Sequence, residues 1–390
     1  MGDERTVRIA QSCAQDPAAA VEALHDGLRQ PDASLVLFFC SSEYDHDALA
    51  AEMARRFAGV PVVGCTTAGE IGPLGCRDHS VAGVSLAAEV CSVEIGHLED
   101  LRRFQIPDGV AFAQDLRRKL EESASGDTGE NTFAFLLVDG LSGHEEQLAH
   151  ALQQGLGNIP LVGGSAGDSL SFERTFICWD GRFRSDAAVL VLVTTPLPFS
   201  EFKTQHFVPT DERLVVTGAR PDERVVVEIN GLPAAQEYAR ILGLDADELD
   251  PVHFAASPVV VLIDGANYVR SIQKLEPDGS LKFYCAIERG VVLRVARSDD
   301  LVANLEAAFS RVRAQIGPPQ LVLTFDCILR KLEIAGAGLE PSVSEILRRN
   351  NAVGFNTYGE QFCGVHVNQT LTAVALGSAA PAPAREAGHD

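Results

Sequence analysis

Short apolar runs recur along the chain, and each introduces the same succession of patterns. Residues 35–40, 133–138 and 321–325 are apolar stretches of strand length, interrupted only by Thr324. Amphipathic stretches with helical spacing follow at 45–57, 145–156 and 342–350. Next comes a glycine motif: Val63-Gly64-Cys65-Thr66-Thr67-Ala68-Gly69-Glu70, then Val162-Gly163-Gly164-Ser165-Ala166-Gly167-Asp168, then Val353-Gly354-Phe355-Asn356-Thr357-Tyr358-Gly359-Glu360. Val63 lies 28 residues after Leu35, Val162 29 after Phe133, and Val353 32 after Leu321. That length suits a strand–helix–strand crossover between neighbouring strands. A further apolar run closes each unit, at 81–87, 187–193 and 371–376.

The pattern predicts a mixed α/β (α+β) fold of three related units, two in tandem and one far downstream, forming two lobes around a ligand pocket. The expected division is 30–230 for the first domain, with units at about 30–125 and 130–230, and 231–377 for the second. Residues 123–132 read as a loop, and the Ala/Pro-rich stretch 378–390 as a disordered tail. Alternation at Val225, Val227 and Ile229 before Asn230-Gly231 predicts a hairpin, and 259–263 and 281–287 read as further strands. The motif glycines are expected to turn the chain with positive φ and to leave N–H groups free at the strand ends, where open α/β sheets hold ligands.

Composition narrows the function. The formal charge of −22, from 32 basic and 54 acidic residues without a basic stripe, disfavours nucleic acid and anionic membrane surfaces. No apolar run approaches membrane-spanning length, and the acidic start of the chain lacks a signal-peptide core; its loose myristoylation pattern reads as chance. Nine dispersed cysteines without a Cys-x-x-Cys pair fit a reducing cytoplasm.

Several of these segments resemble the FIST family, a bacterial sensory module with N-terminal and C-terminal parts. The matching residues are the three glycine motifs, Glu228-Ile229-Asn230-Gly231 with Pro233-Ala234, and His366-Val367-Asn368-Gln369-Thr370. Thr204-Gln205-His206-Phe207-Val208-Pro209-Thr210 further resembles the stand-alone haem-binding members that sense nitric oxide (NosP-type). This resemblance implies a haem cofactor, nitric oxide as signal, and a sensor histidine kinase or cyclic-di-GMP enzyme as partner, with a homodimer left open. It implies a sensor rather than an enzyme.

A haem site needs an apolar slot and an axial ligand, most often histidine. His206 ranks first: a strand over 201–208 would place Phe202, Thr204, His206 and Val208 on one face, beside Phe207. His366 ranks second, on a polar face with Asn368 and Thr370 and close after Tyr358, and His253 third, beside Phe254. Each also reads as a histidine that merely satisfies its own hydrogen bonds. Cys76 with His79 and Cys363 with His366 share a spacing that could meet in a zinc site. Glu70, Asp168 and Glu360 read either as paired carboxylates or as turn caps. Two further readings stay open: a haem-free receptor for a small metabolite such as an amino acid, whose carboxylate would bind the glycine turns, and an enzyme using Cys65 or Cys363 as nucleophile.

Overall fold

The computed structural model describes residues 6–123, 129–263 and 265–378. The myristoylation pattern, the centre of the 123–132 loop and nearly all of the tail lie outside them. Each unit runs strand, helix, strand, helix, strand, hairpin, strand. The first comprises Val7–Ser12, Pro17–Leu28, Ala33–Ser41, His46–Arg56, Val62–Thr67, the hairpin Glu70–Gly72/Gly75–Arg77, and Val81–Ala87. The second comprises Ser92–Leu98, Ile106–Ser123, Thr132–Val138, Glu145–Leu156, Leu161–Ser165, the hairpin Ile177–Trp179/Arg182–Arg184, and Ala188–Thr194. The third opens with Phe199–Thr204 and resumes only at Leu301–Ile316 and Leu321–Cys327. After the helices Ile328–Gly336 and Glu340–Arg349 it ends with Ala352–Thr357, the hairpin Glu360–Phe362/Val365–Val367, and Leu371–Leu376.

The helices start where the sequence supplies caps. Asp16, Asp45 and Asp300 each accept the backbone N–H of the third helical residue, satisfying a donor the helix cannot. The two strands flanking each crossover pair in parallel, as the spacing predicts.

Each unit lends its hairpin to a neighbour. The second unit's hairpin pairs with Val62–Thr67 of the first, the third unit's with Leu161–Ser165 of the second, and the first unit's with Ala352–Thr357 of the third. Among the described residues, three six-stranded mixed sheets result, closed into a ring by cyclic exchange. Their inner faces share one apolar core, in which Phe39, Phe325 and Phe355 meet at 4.9 and 5.6 Å between ring centroids. Each outer face is covered by its own pair of helices.

The Val-Gly pairs have a different physical job from the one expected. Gly64, Gly163 and Gly354 lie in extended strands, and a Cβ on any of them would strike the carbonyl oxygen of Phe38, Leu136 or Thr324 on the parallel neighbour. Glycine is required there for close approach of two backbones.

The third unit stands far downstream because a separate sheet interrupts it. Residues 207–298 build an eight-stranded sheet with its own core, including Val216, Tyr238, Phe254 and Phe283. The expected hairpin is present, with Asn230 and Gly231 both at positive φ, and 259–263 is a strand, whereas the strand expected at 281–287 is only Leu281–Phe283. The expected division at 230/231 lies in the turn between Val225–Ile229 and Leu232–Pro233 of this sheet.

Candidate functional site

The glycine corners converge, and they do so through backbone hydrogen bonds. Ala68 N–H donates to Asn356 O (3.0 Å), Gly167 N–H to Thr66 O (3.1 Å), and Tyr358 N–H to Ser165 O (3.2 Å). These three equivalent bonds tie the units around the pseudo-threefold axis. The amides expected to bind a ligand carboxylate are therefore spent on closing the ring.

The acids diverge more than their spacing suggests. Glu360 accepts from the Thr357 hydroxyl at 2.6 Å and from the Thr370 hydroxyl at 2.7 Å and amide at 3.2 Å. Glu70 repeats this with Thr67 and Ser80. Burial pushes the carboxyl of Glu360 up to about 8 and that of Glu70 up to about 7, against those hydrogen bonds. Asp168 is not their counterpart. The second motif is one residue shorter, so the strand register puts Ile177 where Glu70 and Glu360 stand. Asp168 instead caps a turn, accepting from the amides of Phe172, Glu173 and Arg174 and from the Tyr358 hydroxyl. The paired-carboxylate arrangement is absent.

At the second-unit corner the ring faces the inserted domain across a cleft of about 620 Å³. Gly140, Glu145, Ser165, Tyr358 and His366 form one wall; Arg224, Lys282 and Tyr284 stand on the other. Arg224 spans the gap, donating to Glu145 Oε2 (2.8 Å), Gly143 O (3.1 Å) and Tyr284 O (2.7 Å). Arg270 donates to His366 O at 3.1 Å.

His366 is buried, and burial together with the nearby Arg224 and Arg270 charges lowers its pKa to about 3, so the imidazole is neutral near pH 7. Gln361 Nε2, held by Ser165 Oγ (3.0 Å) and Gly359 O (3.3 Å), faces His366 Nδ1 at 3.4 Å. The two hydrogens of that amide are taken by Ser165 and Gly359, and His366 Nε2 has no hydrogen-bond partner among the described residues. Behind it Asn368 is fully buried, with neither amide atom hydrogen-bonded among the described residues. The strand predicted there is only Val365–Val367, and Gln369 turns the chain with φ 49°.

The corner between the third and first units repeats this plan in a filled form. Lys331 Nζ binds Ala68 O at 2.7 Å and pairs with Asp78, residues whose register matches Tyr358 and Asn368. The space left there is about 160 Å³.

His206 lies elsewhere. The strand predicted over 201–208 breaks after Thr204 and restarts at Phe207, so the shared face does not form: His206 is buried while Val208 is 55% exposed. His206 Nε2 contacts Glu333 Oε1 at 2.8 Å and Nδ1 contacts Arg330 at 3.2 Å. Arg330 in turn pairs with the buried Asp326 at 2.6 Å. Phe207 packs against this ring but belongs to a small cluster with Val260, Val269 and Ala296. His253 sits on a short outer helix beside Asp250. His206 has both ring nitrogens in contact with Glu333 and Arg330 and His253 lies on an outer helix, so neither offers an axial donor to an apolar slot. His366 lines the cleft, whose walls are rich in charged groups.

Cys76 lies against Ser344, whereas Cys363 is exposed at the far hairpin tip beside Gln153; His79 pairs with Glu43. The two Cys-x-x-His pairs do not meet, and among the described residues no cluster of three or more His, Cys, Asp or Glu could hold a metal. Burial raises the thiol pKa of Cys65, and partial desolvation and the nearby Glu201 carboxylate raise that of Cys363 despite its place at the surface, the opposite of nucleophile activation. Lys282, Arg224 and Tyr284 had no signal in sequence, because the inserted domain's packing against the ring was not legible.

The architecture defines a pseudo-threefold α/β ring interrupted by a smaller β-rich domain, with a cleft between them. Models of the FIST N domain and the FIST C domain match residues 34–232 and 234–363; the chain belongs to the FIST family. An uncharacterised protein of Methanocaldococcus jannaschii is 32% identical over 116 residues, 30% of this chain but 22% of that protein's length. Among solved structures, a cyanuric acid hydrolase from A. caulinodans has 10% identity and a TM-score of 0.39, covering 95% of this chain and 99% of that one. A chorismatase has 7% identity and a TM-score of 0.35, with 89% and 93% covered. At that level neither transfers a site or an activity. No helix among the described residues is long and apolar enough to cross a membrane.

Proposed function

We propose that the chain is a ligand-sensing protein whose signal is occupancy of the cleft between the ring and the inserted domain. The observation that carries this reading is the composition of its walls, which come from separate domains bridged by Arg224. A ligand gripping both walls favours one arrangement of the domains, and that difference is what a partner can read. A sensor histidine kinase or cyclic-di-GMP enzyme, as the family resemblance suggests, is the proposed recipient. The raised cysteine pKa values favour a receptor over a cysteine enzyme.

We take an organic metabolite rather than haem as the ligand, because His206 is held between Glu333 and Arg330 and the walls around His366 are rich in charged groups, among them Glu145, Arg224 and Lys282. The test is thermal shift and amide exchange on the full chain with a metabolite panel that includes amino acids and haem. A ligand of this site raises the melting temperature and slows exchange at 140–146 and 281–287. Leu141→Trp, at a half-exposed lining position, abolishes both effects. Stabilisation that survives Leu141→Trp argues against the cleft. A haem Soret band lost in His366→Ala would restore the haem reading.

A further inference from the structure

A second hollow adjoins the cleft, and its walls are of another kind. It also measures about 620 Å³ and meets the first along Leu141, Phe172, Gln273, Lys282 and Tyr284. Beyond that boundary its walls are apolar apart from Lys274. Leu329 and Leu332 come from the helix after the third unit's central strand, Ile272 and Pro251 from the inserted domain, and Leu170 from the turn that Asp168 caps. Leu170 is 54% exposed, large for a leucine with no hydrophobic cover. Phe172, stacked on Tyr358 at 4.6 Å and 6.2 Å from Tyr284, forms an aromatic partition between the two spaces.

Two charged side chains line this second hollow, and both are lysines. Lys274 is neutralised by Glu276 at 3.1 Å. Lys282, which lines both spaces, has no hydrogen-bond or ion-pair partner among the described residues. Of the carboxylates in the adjoining cleft, Glu145, Glu223, Glu276 and Asp278 are paired with Arg224, Arg220 and Lys274, and Asp222 is left without a partner among the described residues. An apolar chamber with Lys282 uncompensated at its mouth is complementary to an apolar body bearing one negative charge. A dianionic head group would leave a charge unmatched.

We infer that the joined hollows bind an amphiphilic monocarboxylate, its hydrocarbon or aryl body among Leu170, Leu329 and Leu332 and its carboxylate on Lys282. This rests on the sensory reading for its meaning but not for its chemistry. The experiment is calorimetric titration of the full chain with decanoate, decanol, decylamine and acetate. Decanoate binds; decanol binds about tenfold more weakly, for want of one charge-assisted contact; decylamine is weaker still, and acetate gives no heat. Lys282→Met weakens decanoate by about tenfold and leaves decanol unchanged, whereas Leu332→Asp removes both. Equal affinities for decanoate and decanol, or an unaltered Lys282→Met, overturn the inference. If amino acids bind the cleft and decanoate does not, the inference fails and the sensor stands. If decanoate binds without slowing exchange across the domain boundary, the inference stands and the sensory reading fails.

Discussion

The corner at Ala68 and the corner at Tyr358 share one backbone plan and differ in what fills them. At Ala68 a lysine from the neighbouring helix caps the carbonyl and pairs with Asp78, leaving little room. At Tyr358 the matching helix begins only after Gly143, it sends no lysine in, and the Asp78 position is the unpaired Asn368. A repeated scaffold thus opens a cleft at the corner that lacks the plug and stays closed at the corner that keeps it.

The comparison breaks most sharply at the buried charges that anchor each corner. Arg330→Ala strands Asp326 without a partner and is expected to cost about 3–5 kcal/mol in denaturant unfolding. Arg224→Ala likewise strands Glu145, whose side chain is only 3% exposed although the guanidinium is 20% exposed, and is expected to cost a comparable amount. A much smaller loss would mean that water reaches Glu145 at the open corner.

The twin glutamates give the next largest effect. Between its ordinary value near 4.5 and about 8, Glu360 is protonated in the folded chain and ionised in the unfolded chain. The folded state binds more protons, so stability falls as pH rises through that window and levels off above it. Glu360→Gln removes this slope and is expected to stabilise the protein at pH 8 by on the order of a few kcal/mol. Glu70→Gln does the same over the shorter window ending near 7. His366 acts in the opposite sense. Its folded pKa of about 3 lies below the ordinary 6.5, so stability is lost as pH falls from 6.5 towards 3, and His366→Gln flattens that acid limb. Melting temperatures across pH 3–9 separate the three.

The smallest expected effect is Lys331→Met. Its partner Asp78 is 74% exposed, so the loss stays within about 1 kcal/mol. Its value lies in the geometry: removal should widen the filled corner enough to admit a small amine, measurable as thermal-shift rescue by methylamine.

Much of the ring was readable from sequence because it rests on local rules. The helix predicted at 145–156 is Glu145–Leu156, and the runs at 81–87 and 371–376 are strands with those bounds. Buried apolar runs and capped amphipathic stretches carry their own periodicity. The lending of hairpins was not readable, since Glu70–Gly72 pairs with a strand nearly three hundred positions away and nothing in its composition names the partner. The same holds for the candidate site. Tyr358, His366 and Asn368 were singled out and do gather at one corner, yet Lys282 lies on an inserted domain whose docking depends on tertiary contacts. For His206, a two-residue break in the expected strand leaves Thr204 and His206 buried but turns Val208 outward, so the predicted face does not form.

The cyclic lending of hairpins also governs synthesis. The first hairpin leaves the ribosome long before residues 352–357, its partner strand, exist. Strand Val62–Thr67 likewise waits for residues 177–179. A nascent chain therefore carries open sheet edges through most of translation, and only the last-made strands turn three incomplete pieces into a closed body.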